Sequence, residues 1–136
     1  MLSENERDEI YAEEKIVYGE SLQWKYTNGS YRLKAAVIRQ NGEELSLYGT
    51  LGQKRYSFAL NYRKTLLIRR WDYCVHTNPD GTVMIGPHKH KWTDNYADNY
   101  AYQVDDVPID SLNEGLLAFL EECNISIEGQ YQMIIL

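Results

Sequence analysis

The stretch that decides the fold is YRLKAAVIRQNGEELSLYGTL, which occupies residues 31–51. Two β-rich runs, Tyr31 to Arg39 and Leu45 to Leu51, flank the dipeptide Asn41-Gly42. Asn-Gly between such runs is a strong hairpin signal, because a tight turn needs residues that accept positive φ angles. The sequence therefore predicts an antiparallel pair of strands over this stretch.

Further β-rich runs continue the pattern on both sides. Leu22 to Tyr26 precedes a second Asn-Gly pair, Asn28-Gly29, and Tyr56 to Tyr62 is followed by Thr65 to Tyr73. The links between these runs are short, which leaves no room for crossover helices and favours antiparallel neighbours. The sequence thus predicts a five-stranded antiparallel meander over residues 22–73.

Two helices are predicted outside the meander. Ser3-Glu4-Asn5-Glu6 has the form of a capping box, and its helix is expected to run to about Val17 and to end at Gly19. A second capping box, at residues 111–114, begins a helix whose apolar residues share one face. These apolar residues are Leu112, Leu116, Phe119, Leu120 and Cys123.

The elements together predict a single α+β domain over residues 1–136. Its antiparallel meander sheet has about five to seven strands, with an N-terminal helix and a C-terminal helix packed on one face. The apolar run Tyr131 to Leu136 is expected to supply an additional edge strand.

Charge is distributed unevenly along the chain, whose net charge is −6. Residues 1–24 hold seven acidic and two basic side chains, residues 25–91 hold twelve basic and four acidic ones, and residues 92–136 hold nine acidic and no basic ones. The acidic total argues against a protein that coats nucleic acid, but the basic middle segment can form a local phosphate-binding face. Alternatively, acidic helices cover a basic sheet and the charges pair within the fold.

Membrane insertion and a disulfide scaffold are not expected. No apolar run approaches the ~18 residues that a membrane span needs, and the N-terminus is acidic rather than signal-like. Cys74 and Cys123 are the only cysteines and form no C-x-x-C pair. These features predict a cytoplasmic protein without a membrane partner.

All three histidines fall within one segment of fifteen residues, at His76, His88 and His90. The four residues Asn78-Pro79-Asp80-Gly81 lie between the first and the second histidine. Pro fixes φ for the first turn position and Gly supplies the left-handed position, so this segment predicts a tight turn.

The register of this turn decides whether the histidines meet other polar groups. A three-residue turn with Gly81 in the left-handed region, the G1-bulge form, sets Asp72 opposite His88 and Arg70 opposite His90. A plain two-residue turn shifts the register by one residue and places His88 on the wrong face. Because Gly81 lies where the bulge requires it, we predict the bulged register and one concave site.

The predicted site suits acid/base chemistry on a phosphodiester. One histidine can act as general base and another as general acid near neutral pH, Arg70 can hold a phosphate, and Asp72 can fix a histidine tautomer. Such a set suits cleavage of RNA through its own 2′-hydroxyl, without a metal or other cofactor. The predicted catalytic residues are His76, His88, His90, Asp72 and Arg70, and the predicted phosphate- or substrate-binding residues are Arg63, Lys64, Arg69 and Lys89.

Two other interpretations of the histidines stay open. The pair His88 and His90, together with His76 or Asp72, can ligate zinc or another divalent ion. Alternatively, the histidines are structural: they face solvent at a hairpin end or bond to backbone groups.

Several segments of the chain resemble an uncharacterised family of small bacterial proteins, and the resemblance covers about residues 56–124. Members carry an H-T-N-P-D-G segment, a P-H-x-H segment and a closing helix before an F-L-x-x-C-N-like end. The matching segments here are residues 76–81, 87–90 and 119–124, together with residues 60–63, 66–69 and 100–102. More distantly, the chain is similar to the TumE-type toxins of bacterial toxin–antitoxin pairs, which also have a basic strand followed by a turn and a histidine pair.

Two hypotheses of function follow from these observations. The first is a toxin or defence component that acts on RNA at the histidine site, with an antitoxin as partner. The second is a non-catalytic factor, for example phage-borne, that binds a host defence protein through its acidic ends and its twelve tyrosines. A homodimer is compatible with either hypothesis.

Overall fold

The structure, a computed structural model of the chain, describes residues 2–52, 55–73, 76–104, 106 and 111–135. Its helices are α1 (Glu4–Ala12) and α2 (Leu112–Glu122). Its strands are β1 (Lys15–Val17), β2 (Ser21–Gln23), β3 (Lys25–Thr27), β4 (Ser30–Arg39), β5 (Glu44–Gly52), β6 (Arg55–Tyr62), β7 (Leu66–Asp72), β8 (His76–Thr77), β9 (Val83–Met84), β10 (His88–Lys91), β11 (Ala101–Gln103), β12 (Ile125–Ile127) and β13 (Gln130–Gln132).

The main sheet is mixed but mostly antiparallel. Its strands follow the order β11-β10-β7-β6-β5-β4-β1-β12, and β3 pairs with β4 outside this path. The predicted meander forms its centre, and β3 and β4 are joined by the expected tight turn, in which Asn28 and Gly29 have φ angles of 51° and 85°. The chain thus has an α+β fold.

The sheet contains nine strands within the described part of the chain, more than the predicted five to seven. The additional edge strands β1, β11 and β12 are short, and no tight-turn signal joins them to the strands with which they pair. One of these pairings, between β1 and β12, is parallel, which the predicted antiparallel meander did not include.

The N-terminal helix ends at Ala12, and the prediction that it runs to about Val17 is wrong. Residues 15–17 instead form β1, which lies between β4 and β12. Ile16 and Val17 are β-branched and favour a strand. Lys15 closes the helix, because its ammonium group donates to the carbonyls of Ile10 and Tyr11 at 2.5 and 3.0 Å.

The predicted strand Leu22 to Tyr26 is interrupted at Trp24, and its two halves belong to different sheets. The Trp24 indole packs on Gly49 of β5 and donates from Nε1 to the hydroxyl of Tyr131 at 2.8 Å. The end of the chain was also predicted inexactly, because β13 covers only Gln130–Gln132 and pairs with β2 in a separate parallel sheet.

The two faces of the main sheet differ in character. The helix face, defined as the face that carries Phe58 and Trp71, packs on α2 through ring contacts of both residues with Phe119. Gly115 of α2 lies so close to Phe58 that a Cβ atom there would be 3.3 Å from the ring. The opposite side, here named the open face, carries Arg70 and Asp72 of β7.

None of the described helices combines the length and the apolar character that crossing a membrane requires.

Candidate functional site

The histidines are placed by the pairing of β7 with β10. His88 lies opposite Asp72, and His90 lies opposite Arg70. This is the register predicted for the bulged turn, and Gly81 has the required positive φ of 90°. Because alternate residues of a strand share a face, the four side chains lie together on the open face.

A small hairpin, formed by β8, the turn at residues 78–82 and β9, lies beside these strands and is here named the cover hairpin. It does not continue β7 in the main sheet, although the prediction took His76 as part of one extended strand face. Its buried Asn78 side chain bonds to both backbone groups of Ala101 in β11. The cover hairpin is thereby fixed over the edge of the main sheet, with His76 at its base.

The three imidazoles are in mutual contact and form the histidine cluster (His76, His88 and His90). The ring centroids are 4.7 Å apart for His76 and His90, 4.9 Å for His88 and His90, and 5.6 Å for His76 and His88. One ring nitrogen from each histidine lies within 4.8 Å of those of the other two. His88 and His90 are each only 1% exposed, whereas His76 is partly exposed and forms the accessible side of the cluster.

Backbone carbonyls fix the tautomer of each ring. His88 Nδ1 bonds to the Gly86 carbonyl at 3.0 Å, and His90 Nδ1 bonds to the Asp98 carbonyl at 3.1 Å. His76 Nε2 bonds to the Asn99 carbonyl at 2.8 Å. A carbonyl only accepts, so each of these nitrogens donates its proton. In the neutral rings the second nitrogen of each histidine is therefore an acceptor.

Two of these acceptors make no hydrogen bond to the residues that the structure describes. The Nε2 atoms of His88 and His90 are buried and make no hydrogen bond within the described part of the chain. Buried polar atoms are satisfied in the large majority of cases, so two neighbouring unsatisfied nitrogens mark a position suited to a further hydrogen-bond donor or a cation.

Asp72 and Arg70 flank the cluster. Arg70 Nε donates to Asp72 Oδ2 at 2.9 Å, and the same oxygen lies 3.5 Å from His90 Nε2. Burial, followed by the positive charge of Arg70, lowers the pKa of His90 to about 4, although Asp72 opposes the shift. His90 is thus a neutral imidazole at pH 7 and is a poor candidate for the general acid.

Two of the predicted phosphate-binding residues face away from the cluster. Arg69 is buried and pairs with Asp8, and Lys89 is buried and pairs with Glu122 at 2.5 Å. Both lie on the helix face, since Lys89 stacks over the ring of Trp71. Strand alternation accounts for this, because both residues are neighbours in sequence of residues on the open face. The structure therefore does not bring these two predicted substrate-binding residues to the histidine cluster.

The other two predicted phosphate-binding residues are distant from the cluster. Arg63 and Lys64 are exposed in the turn before β7, where both have positive φ angles. Asp72 lies at the other end of this strand. At ~3.3 Å per residue, about 25 Å of strand separates this turn from Asp72.

Several residues that shape the site were not predicted. Asn78 makes the two hydrogen bonds to Ala101 that hold the cover hairpin, here named the Asn78 clamp. Residues 86, 98 and 99 supply the carbonyls that fix the tautomers. Only Asn78 gave a signal, as the first residue of the predicted turn. The positions of these acceptor carbonyls follow from loop conformation, which no side-chain pattern encodes.

The fold and the site define a class of small α+β protein with three clustered histidines on the open face of a mixed sheet. The chain belongs to the family of unknown function DUF6978, whose sequence profile matches residues 2–125. Neither the curated proteins nor the solved structures contain a significant match to the chain.

Proposed function

We propose that this chain cleaves RNA at the histidine cluster and acts as a toxin or defence component. The observation that carries the proposal is a row of side chains across the open face that leads to the cluster.

The row, here named the sheet row, comprises Lys34, Tyr48, Ala59, Arg70 and His90. Each of these residues is paired with the next across neighbouring strands, from β4 through β5, β6 and β7 to β10. With strands ~4.8 Å apart, the sheet row spans about 19 Å. This length accommodates several nucleotides of a single strand.

The chemistry of the sheet row fits a single-stranded polynucleotide. Tyr48 offers an aromatic ring on which a base can stack, and the exposed Lys34 ammonium lies 5.9 Å from the centre of that ring. Arg70 can hold a phosphate beside the cluster. The positions between Lys34 and Arg70 are uncharged, so no carboxylate repels a phosphate there.

RNA rather than DNA is the proposed substrate because the 2′-hydroxyl can act as an internal nucleophile. His76, the partly exposed imidazole, is the ring that a substrate reaches first. In the metal-free route predicted from the sequence, the histidines move the protons and Arg70 stabilises the charge on the phosphate. The 2′-oxygen forms a bond to phosphorus, the P–O5′ bond breaks, and the products are a 2′,3′-cyclic phosphate and a 5′-hydroxyl.

The test uses a labelled single-stranded RNA and its DNA analogue with the wild-type protein and the variants His76→Ala and His88→Ala. We expect cleavage of RNA only, and a loss of rate of about 10²–10⁴ in either variant. Equal rates in wild type and both variants would reject the proposal. Cleavage by this metal-free route should persist in EDTA. Loss of cleavage in the chelator would show that the reaction depends on a metal ion.

The sheet row is tested with Tyr48→Ala and Lys34→Ala. Loss of a stacking ring is expected to weaken RNA binding by about 5- to 100-fold. Lys64→Ala is the matched control, since it also removes one exposed lysine but lies at the far end of β7. If Lys64→Ala weakens binding as much as Lys34→Ala, the RNA does not follow the sheet row.

A second candidate function is binding to another protein, such as an antitoxin or a host defence factor. It is favoured by a groove of about 310 Å³ beside the end of the chain, lined by Trp24, Tyr31, Met133 and Ile135 among others. Met133 is 68% and Ile135 is 94% exposed. Under this hypothesis the Ile135→Asp variant loses the protein complex, whereas His88→Ala retains it. A second copy of the chain as the partner would appear as a concentration-dependent dimer in sedimentation.

A further inference from the structure

We infer that His76, His88 and His90 form a binding site for one divalent transition-metal ion, of which zinc is the best match. The inference rests on the geometry of the histidine cluster and holds whether or not RNA is the substrate. If RNA is cleaved at the cluster, the metal-free route described above does not apply, because histidines that ligate a metal cannot also transfer protons.

The arrangement of the three rings is the first argument. Their ring nitrogens, one per residue, lie within 4.8 Å of one another. A tetrahedral ion with bonds of ~2.1 Å holds its nitrogens about 3.4 Å apart, so binding requires the ring nitrogens to approach one another by at most about 1.4 Å. Three imidazoles on an ion also leave a fourth position for water or substrate, which is the pattern of catalytic rather than structural zinc sites.

The tautomers are the second argument. Histidines that ligate a metal commonly donate their other ring N–H to a carbonyl or carboxylate, which fixes the ring and aims the free nitrogen. All three histidines do so here, toward the carbonyls of Gly86, Asp98 and Asn99. The protein therefore already has the outer hydrogen bonds of a histidine metal centre.

The unsatisfied nitrogens are the third argument. The Nε2 atoms of His88 and His90 are buried acceptors without a partner among the described residues. These two nitrogens cannot bond to each other, because in each neutral ring the single N–H is on Nδ1 and donates to a backbone carbonyl. One cation can satisfy both adjacent acceptors at once. The carboxylate of Asp72, 3.5 Å from His90 Nε2, favours its charge, and that carboxylate in turn offsets the opposing charge of Arg70, with which it pairs at 2.9 Å.

The donor type selects the kind of ion. Imidazole nitrogen suits zinc, copper, nickel and iron, whereas magnesium and calcium prefer oxygen ligands. Asp72 accepts a hydrogen bond from Arg70 through Oδ2. A carboxylate has further acceptor positions, so Asp72 can also orient a water at the fourth position. A zinc ion held here would lower the pKa of a bound water and so supply a hydroxide nucleophile.

The experiment uses the full chain, freed of metal with chelator and dialysed. Zn²⁺ titration by calorimetry should give one ion per chain, and Co²⁺ should give the visible absorption of a tetrahedral nitrogen site. We expect His88→Ala and His90→Ala to weaken Zn²⁺ binding by at least about 100-fold. Asn95→Ala, at an exposed position outside the cluster, is the control and should bind as wild type.

Because His88 and His90 are buried, their variants are first checked for folding by circular dichroism. His76→Gln provides an independent test, since His76 is partly exposed and its loss leaves the core intact. Zn²⁺ should raise the unfolding temperature of the wild type but not of His76→Gln. Absence of binding by the wild type, or binding that survives all three histidine variants, would overturn the inference.

The outcomes separate this inference from the proposed function. Zinc binding at the cluster without cleavage of any RNA supports the metal site and rejects the nuclease proposal. RNA cleavage in EDTA by a chain that binds no zinc supports the nuclease proposal and rejects the metal site.

Discussion

Asn78 and Ala101 are joined by two hydrogen bonds that use both ends of the Asn78 side-chain amide. Nδ2 donates to the Ala101 carbonyl at 2.6 Å, and the Ala101 amide donates to Oδ1 at 2.7 Å. Both residues are buried. The Asn78 side-chain amide thus makes one donated and one accepted hydrogen bond to the backbone of β11, as a neighbouring strand would. These two bonds hold the cover hairpin to the edge of the main sheet.

Asn78→Ala should therefore destabilise the protein. It leaves a buried N–H and a buried C=O of Ala101 without partners, which is expected to lower the free energy of unfolding by about 2–4 kcal/mol. Chemical denaturation measures this effect. Asn95→Ala, at an exposed position, should change stability by less than about 0.5 kcal/mol. Similar small effects of both substitutions would show that the clamp is not formed in solution.

Lys89 and Arg70 should respond to substitution in opposite ways. Lys89→Ala leaves Glu122 without its 2.5 Å partner on the helix face and should lower stability by about 2 kcal/mol, with RNA affinity unchanged. Arg70→Ala should weaken RNA binding more than it changes stability, because Arg70 is partly exposed on the open face. Parallel denaturation and RNA-binding titrations check the pair, and a loss of RNA affinity in Lys89→Ala would contradict the assignment of faces.

Gly49→Ala should be destabilising because of the indole packed against it. An added Cβ atom would lie 2.6 Å from Cη2 of Trp24, so the ring must shift. We expect a loss of about 1–3 kcal/mol, the usual range for an overpacked core. A double-mutant cycle with Trp24→Phe tests the cause, since the smaller ring should recover much of the loss. Additive effects would mean that the two residues do not conflict.

Cys123 should make stability depend on alkaline pH. Burial raises the pKa of this thiol from 9.0 to about 12. Between these values the unfolded chain releases a proton that the native chain retains, so the contribution of Cys123 to stability falls as the pH rises from about 9 to 12. The stability difference between wild type and Cys123→Ala should shrink over that range. A difference that is constant with pH would show that the thiol is not buried.

Much of the site was encoded in local sequence signals. The spacing of Gly81 from the two strands specified the bulged register, and this register places His88 and His90 beside Asp72 and Arg70. Strand alternation also contained the information that Arg69 and Lys89 face the other way, but the predicted phosphate-binding set grouped all nearby positive charges without applying it.

Other features depend on partners that are distant in sequence. Residues 15–17 are a strand because β4 and β12 lie on either side of them, and no local signal outweighs the apparent continuation of the helix. The small parallel sheet of β2 and β13 has the same origin. The sequence patterns therefore predicted the sheet centre, where neighbours are consecutive, better than its edge.

The parallel pairing of β1 with β12 also determines the order in which the protein can fold. Lys15 pairs with Ile125, so this edge of the sheet cannot form until the chain has been synthesised beyond β12. The consecutive hairpins of β4 to β7 need no such wait and can assemble early. During synthesis β1 therefore remains without one of its neighbours until β12, which follows it by more than 100 residues, has been made. Pairing across such a long loop is slow, so this edge is expected to form late. Until then β1 exposes unpaired backbone groups that can pair with other chains.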